Sequence, residues 1–243
     1  AAFLIDIPDS EVDMLLIVAH PPCCSNNNGR QQEVDQIMKF LREAKDGTGP
    51  IPIQEDAPIV ILGDMNFVGE GGQLQTLLTG NISNNTNYGA DFTPDWDGSN
   101  LIDCKPYTTG VPFNYTWYSE SSAFSPGRLD YILYSGSNLE LDNTFSLFTP
   151  GLSQSILTAN NLQTNDAVIA SDHLPLVSDF TLKNKPVNGI QTLDADKIDL
   201  QIHPNPAHDL VNISFTNPSN DYVSILIIDQ NGKELDNLYS GNL

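Results

Sequence analysis

Two apolar runs dominate the first part of the chain. Met14-Leu-Leu-Ile-Val-Ala19 and Ala57-Pro-Ile-Val-Ile-Leu62 are continuous, β-branched and of buried-strand length. The first delivers His20 at its end, and the second runs into Gly63-Asp64-Met65-Asn66. Between them, Pro21, Pro22 and the polar residues 25–29 predict a loop. Residues 31–44 predict an amphipathic helix with Val34, Ile37, Met38 and Leu41 on one face, ended by residues 47–52. Residues 73–78 suit a short helix, and the Gly/Asn-rich residues 81–100 suit a long surface loop. Residues 115–118, 129–134, 139–148 and 174–182 read as strands, and the chain opens almost directly into another strand-like run. Strand, helix, strand, loop and then several strands predict a mixed α/β sandwich with its chemistry on strand-end loops.

The pattern changes after residue 182. Residues 183–197 have few aromatics, mixed charge, Pro186 and Gly189, which predicts a linker. Residues 198–243 alternate, as in Val211-Asn-Ile213-Ser-Phe215, and Asn231-Gly232 between two such runs is a hairpin turn signal. The expected division is therefore a domain over 1–182, a linker over 183–197 and a small all-β module over 198–243.

A 40% hydrophobic fraction with 10 Phe and 8 Tyr is enough for a packed core, and no apolar run approaches the length of a membrane span. Charge changes the picture more. The chain holds 31 acidic and 10 basic residues, net −21, so its surface repels nucleic acid and anionic lipid at long range. A bound divalent ion would invert that field locally, so a phosphoester substrate stays open. Cys23 and Cys24 are adjacent and not expected to bridge each other; a bridge from either to Cys104 suits an oxidising compartment. The start at Ala1 and the abrupt end at Leu243 are read as cuts from something longer.

Four polar clusters sit where strands end: His20; Asp64 with Asn66; Asp130 in Arg128-Leu129-Asp130-Tyr131; and Asp172-His173 in Ser171-Asp172-His173-Leu174. Each alone has a bland reading as a turn, a satisfied histidine or a surface ion pair. Together they are what phosphodiester hydrolysis needs. Carboxylates hold a hard divalent cation that keeps several waters, a carboxylate or imidazole deprotonates the attacking water, and further donors hold phosphate oxygens.

In this order the motifs resemble the endonuclease/exonuclease/phosphatase superfamily, DNase-I-like, over roughly residues 11–182. The resemblance implies a four-layer α/β/β/α sandwich and a Mg2+ (or Mn2+/Ca2+) cofactor. It implies that His20 hydrogen-bonds the scissile phosphate, Asp64 activates the water and Asn66 fixes the phosphate. It further implies that Asp172 ligates the metal and that His173 is the acid/base, oriented by Asp130. Arg30, after the His20 loop, is a candidate substrate contact. Thr116-Trp117 precede the Arg128–Tyr131 segment as in relatives, with Trp117 expected in the core. One departure stands out: an Asn and a metal-ligating Glu expected before the His20 strand are missing, and neither Asp9 nor Glu11 has the right context. The N-terminal half of the sandwich is therefore expected to be absent.

His203-Pro204-Asn205-Pro206-Ala207, followed by Asp229-Gln-Asn-Gly-Lys233, resembles the type A sorting domain of type IX secretion cargo in Bacteroidetes, truncated here. This implies export across the outer membrane, release or surface anchoring, and the secretion machinery as a partner. The leading expectation is an extracellular phosphodiesterase acting on nucleic acid, although no basic stripe with interleaved aromatics supports tight binding. A sphingomyelinase-like or inositol-phosphate phosphoesterase and a non-catalytic surface-binding protein on the same scaffold are the alternatives.

Overall fold

A computed structural model describes residues 1–183 except 9, 11 and 70, together with 201–203, 212–214, 222–228 and 234–242. The chain divides into two compact units, Ala1–Lys185 and Pro186–Leu243.

The first unit is built on β1 (Ala2–Ile5), β2 (Met14–Val18), α1 (Asn27–Lys45), β3 (Ile59–Asp64), α2 (Gly72–Thr79), α3 (Asn85–Tyr88), β4 (Ile102–Asp103), β5 (Tyr107–Thr108), β6 (Asp130–Tyr134), β7 (Leu139–Ser146), α4 (Gln154–Ala159), α5 (Asp166–Ala170) and β8 (Leu176–Leu182). One sheet has the order β1-β2-β3-β6-β4 and a second has β5-β7-β8. β2 and β3 are parallel and joined through α1, whereas β3 pairs antiparallel with β6.

β3 and its partner β6 are covered on both faces, which is why the β3 run is unbroken. Ile59, Ile61 and Leu133 pack with Val34, Met38 and Leu41 of α1 and Leu77 of α2. Val60, Ile132 and Tyr134 face the other way, onto Leu139 of β7 and Leu176, Phe180 and Leu182 of β8. The unit is thus a mixed α/β sandwich with one helical layer against two stacked sheets. Strand parity matters for function. Asp64 and Asp130 are register partners at one end of the β3–β6 pair, and they continue the parity of Leu62 and Ile132, so both project on the inter-sheet side.

The structure differs from expectation in three places. Residues 115–118 form no ladder; Trp117 makes only isolated bridges to Gly127 and His173. The loop over 81–100 contains α3, whose first turn is capped by the side chain of Asn84. The cysteine pairing also differs. Cys23 and Cys24 form a vicinal disulfide, and Cys104 is free and buried between the sheets. Burial pushes its thiol up to about 11, which fits a side chain used as a small hydrophobe rather than a bridging partner.

In the second unit, β9 (Gln201–His203) pairs antiparallel with β10 (Asn212–Ser214), and β11 (Tyr222–Ile228) with β12 (Glu234–Asn242). It is a small β module. Most of the linker segment, the Pro204–Ala207 motif and the turn at Asn231-Gly232 lie outside the described residues. No helix among the described residues is long and apolar enough to cross a membrane.

Candidate active site

β2 and β3 run in parallel and end together, which brings their following loops side by side. The hydrogen bond from Ala19 N to Leu62 O, 3.0 Å, extends the pairing one residue past β2. Here Gly63 is required: at φ +141°, a Cβ on it would lie 1.9 Å from Ala19 O. Asp64 follows, and its Oδ1 accepts from the backbone N–H of Asn66 at 3.0 Å, a local turn. Asn66 adopts φ +51°, a left-handed conformation that Asn tolerates. Its Nδ2 donates to Pro21 O at 2.9 Å. The Asp64 loop is thereby tied to the His20 loop.

β6 and the segment before β8 bring the rest. Asp130 Oδ2 lies 2.9 Å from His173 Nδ1. His173 Nε2 lies 3.8 Å, and His20 Nε2 3.3 Å, from the same oxygen, Asp64 Oδ2. His20 is open to solvent, with a side-chain exposure of 74%, while Asp64 is largely covered at 18%. Asp64, Asp130 and His173 offer ligand atoms within 4.8 Å of one another. Two carboxylates beside an imidazole fit the donor chemistry of a hard divalent cation that keeps several of its waters.

The electrostatics follow from this grouping. Burial opposes a charge on His173, but the hydrogen bond and charge of Asp130 outweigh it. With Asp64 and Asp172 adding to them, the imidazole is held above its usual range. A proton on His173 is thus favoured beside this pair of carboxylates.

Not every expected residue joins the cluster. The Asp172 carboxylate lies outside it, and its Oδ2 accepts from the indole Nε1 of Trp117 at 3.0 Å. Trp117 is half-buried and bonded to a site residue rather than simply packed in the core. Asn66 is buried and its Nδ2 donates one hydrogen bond to Pro21 O, which braces the two loops. Arg30 requires a correction. It is not a substrate contact at the surface, because its side chain is completely buried. Nη1 donates to Pro22 O at 3.0 Å and Cys24 O at 2.8 Å, and Nη2 donates to Asn27 Oδ1. The chain carries the arginine inward because these loop carbonyls need a forked donor. Asp9 and Glu11 lie outside the described residues.

Residues 14–173 match the model of the endonuclease/exonuclease/phosphatase family. The chain belongs to that family. Residues 201–242 match a secretion system C-terminal sorting domain, which marks type IX secreted or cell-surface proteins. No curated protein matches the chain. Among solved structures it is similar to the human Nocturnin catalytic domain, at 18% identity over 70% of this chain and 48% of that one, TM-score 0.38. It is also similar to a mannosyl-6-phosphatase of Bacteroides thetaiotaomicron, at 16% over 71% and 53%, TM-score 0.40. A third is an endonuclease/exonuclease/phosphatase of Bacteroides vulgatus, at 16% over 70% and 50%, TM-score 0.40. The chain spans about half the length of these structures.

Proposed function

We propose that this exported phosphoesterase-fold protein is a divalent-metal-dependent phosphodiesterase that cleaves nucleic acid outside the cell. The observation that carries the reading is the convergence of His20 Nε2 and His173 Nε2 on Asp64 Oδ2, with Asp130 behind His173. Asp64 orients the attacking water and accepts its proton. His173, whose proton Asp130 and Asp64 favour, donates from Nε2 to the phosphoryl group as charge develops, and Asp130 keeps the ring oriented. His20 supplies a second donor from the open side. Asn66 keeps the loops of His20 and Asp64 in register. A divalent cation, when bound, would offset negative charge on the phosphoryl oxygens; Asp64 would hold it, and Asp172, which lies outside the cluster and accepts from Trp117 here, is the further carboxylate that the family resemblance assigns to it.

The described cations form no basic stripe. Arg42 and Lys45 donate to backbone carbonyls, and Arg128 pairs with Asp103. Binding to nucleic acid would therefore rest on contacts local to the site. A second reading, an amphiphilic phosphoester substrate such as a phospholipid, is favoured by a different observation. Phe113, Phe124 and Ile169 are 68%, 79% and 79% exposed. They lie in the segments leading to Thr116, between Trp117 and Gly127, and just before Ser171.

The test is hydrolysis by the full-length protein, with Mg2+ or with EDTA, of plasmid DNA, RNA, sphingomyelin and inositol phosphates, against Asp64→Ala. Metal-dependent cleavage of DNA or RNA that Asp64→Ala abolishes supports the nuclease. Cleavage of sphingomyelin alone moves the assignment to the second reading. No turnover by a folded protein removes both.

A further inference from the structure

One polar side chain inside the site is used by none of the roles above. Thr116 is fully buried, yet its hydroxyl makes three hydrogen bonds. It accepts from the backbone N–H of Leu129 at 3.0 Å and of Asp130 at 2.9 Å. It lies 2.7 Å from Asp130 Oδ2. A hydroxyl has one proton and two lone pairs. Two N–H groups fill the lone pairs, so the proton goes to the carboxylate oxygen. The polarity is fixed by the backbone, not left to rotation.

The same Oδ2 meets His173 Nδ1 at 2.9 Å. An ionised carboxylate only accepts, so Nδ1 carries a hydrogen, and Nε2 is the nitrogen turned towards Asp64. The backbone of Thr116 closes the frame. Its N–H donates to Gly127 O at 3.0 Å, and its carbonyl accepts from Leu174 N at 2.7 Å. One residue thus ties the start of β6, which carries Asp130, to the segment that carries His173.

We propose that Thr116 is a positioning residue of this site: its hydroxyl fixes the Asp130 carboxylate and, through it, which nitrogen of His173 faces the phosphoryl group. The role rests on the phosphoesterase reading above. The protons balance as the P–O bond to the attacking water forms and the bond to the leaving oxygen breaks: Asp64 takes the water's proton, the leaving oxygen takes the hydrogen on His173 Nε2, Nδ1 keeps its own against Asp130, and no proton moves to Asp130 or Thr116.

The test uses the full-length protein, with Thr116→Val to remove the hydroxyl at constant shape and Thr116→Ser to keep it. Two quantities are read: kcat and KM on the substrate found above, and the low-field proton signal of His173 Nδ1–H, assigned by its loss in His173→Gln. Losing a group that orients a site imidazole typically lowers activity about 10- to 100-fold, so Thr116→Val is expected to lose that factor in kcat with KM within about twofold. Thr116→Ser is expected to stay near wild type. The Nδ1–H signal persists in wild type and Thr116→Ser and is shifted or lost in Thr116→Val. In an Asp130→Ala background, Thr116→Val adds no further loss of kcat, because the two act in series.

A folded Thr116→Val with wild-type kcat and an unmoved signal overturns the proposal, as does a Thr116→Ser as impaired as Thr116→Val. If Thr116→Val does not fold, Thr116→Cys replaces it, with an intermediate loss expected and a wild-type kcat counting against the role. If wild type turns over no substrate, the phosphoesterase reading fails by itself, and the Nδ1–H signal alone decides on Thr116: unmoved in Thr116→Val, it overturns the role.

Discussion

Replacing Arg30 by Met separates a strut beneath the site from a substrate contact. The guanidinium has three acceptors, Pro22 O, Cys24 O and Asn27 Oδ1, and its Nε has no partner. Hydrogen bonds to a charged group contribute about 1.5–3 kcal/mol each, which sets an upper bound of several kcal/mol for the trio. Two effects reduce that figure. The guanidinium is buried without a carboxylate among these partners, and desolvating such a cation costs several kcal/mol, which the variant recovers. The carbonyl of Cys24 also belongs to an exposed residue and turns to water when released. The net expectation is a loss of about 2 kcal/mol, since Met also keeps most of the apolar packing of the buried stem. For a chain of this size that lowers Tm by roughly 4–8 °C. Thermal unfolding followed by circular dichroism gives Tm, and kinetics at a temperature where both proteins are folded give KM. Arg30→Met is expected to act on Tm, and on kcat through His20, with KM little changed. An unchanged Tm with a KM raised tenfold would refute the strut and restore Arg30 to the substrate.

Two further expectations follow from the same geometry. Gly63→Ala places a methyl 1.9 Å from Ala19 O, a backbone atom that cannot move without breaking the β2–β3 end; soluble, cooperatively unfolding protein with wild-type Tm would contradict it. His173 gives a pH dependence. Burial lowers its affinity for a proton, but Asp130, Asp64 and Asp172 raise it more, so the folded value lies above that of an ordinary histidine. The stabilisation is fully present below the unfolded value and is lost as pH rises through the folded one. The Tm difference between wild type and His173→Gln should therefore shrink from about pH 6 upwards, and a difference that grows with pH would oppose the sign.

The site was legible in the sequence wherever chemistry and strand ends coincide. His20, Asp64, Asp130 and His173 each follow or open a run of strand character, and the structure brings His20 and His173 to Asp64, with Asp130 behind His173. Arg30 was misread because sequence gives charge but not direction: a cation at the start of an amphipathic helix looks solvent-facing until the loop carbonyls that hold it are placed. Thr116 was visible only as a neighbour of Trp117, since a threonine shows nothing of its partners, and those partners come from a strand that begins well downstream.

The sequence by itself determined the alternation of strands and helix, the buried character of β2 and β3, and the kinds of chemistry the strand-end residues can support. It did so because burial on two faces leaves an unbroken apolar run, as in β3. Only the tertiary structure decided which groups share a proton or an oxygen. The register Asp64↔Asp130 sets the two carboxylates side by side, and the Trp117 bridges to Gly127 and His173 carry the imidazole to them. These are long-range pairings, and no local pattern of apolar and polar residues encodes the ångström on which a hydrogen bond depends.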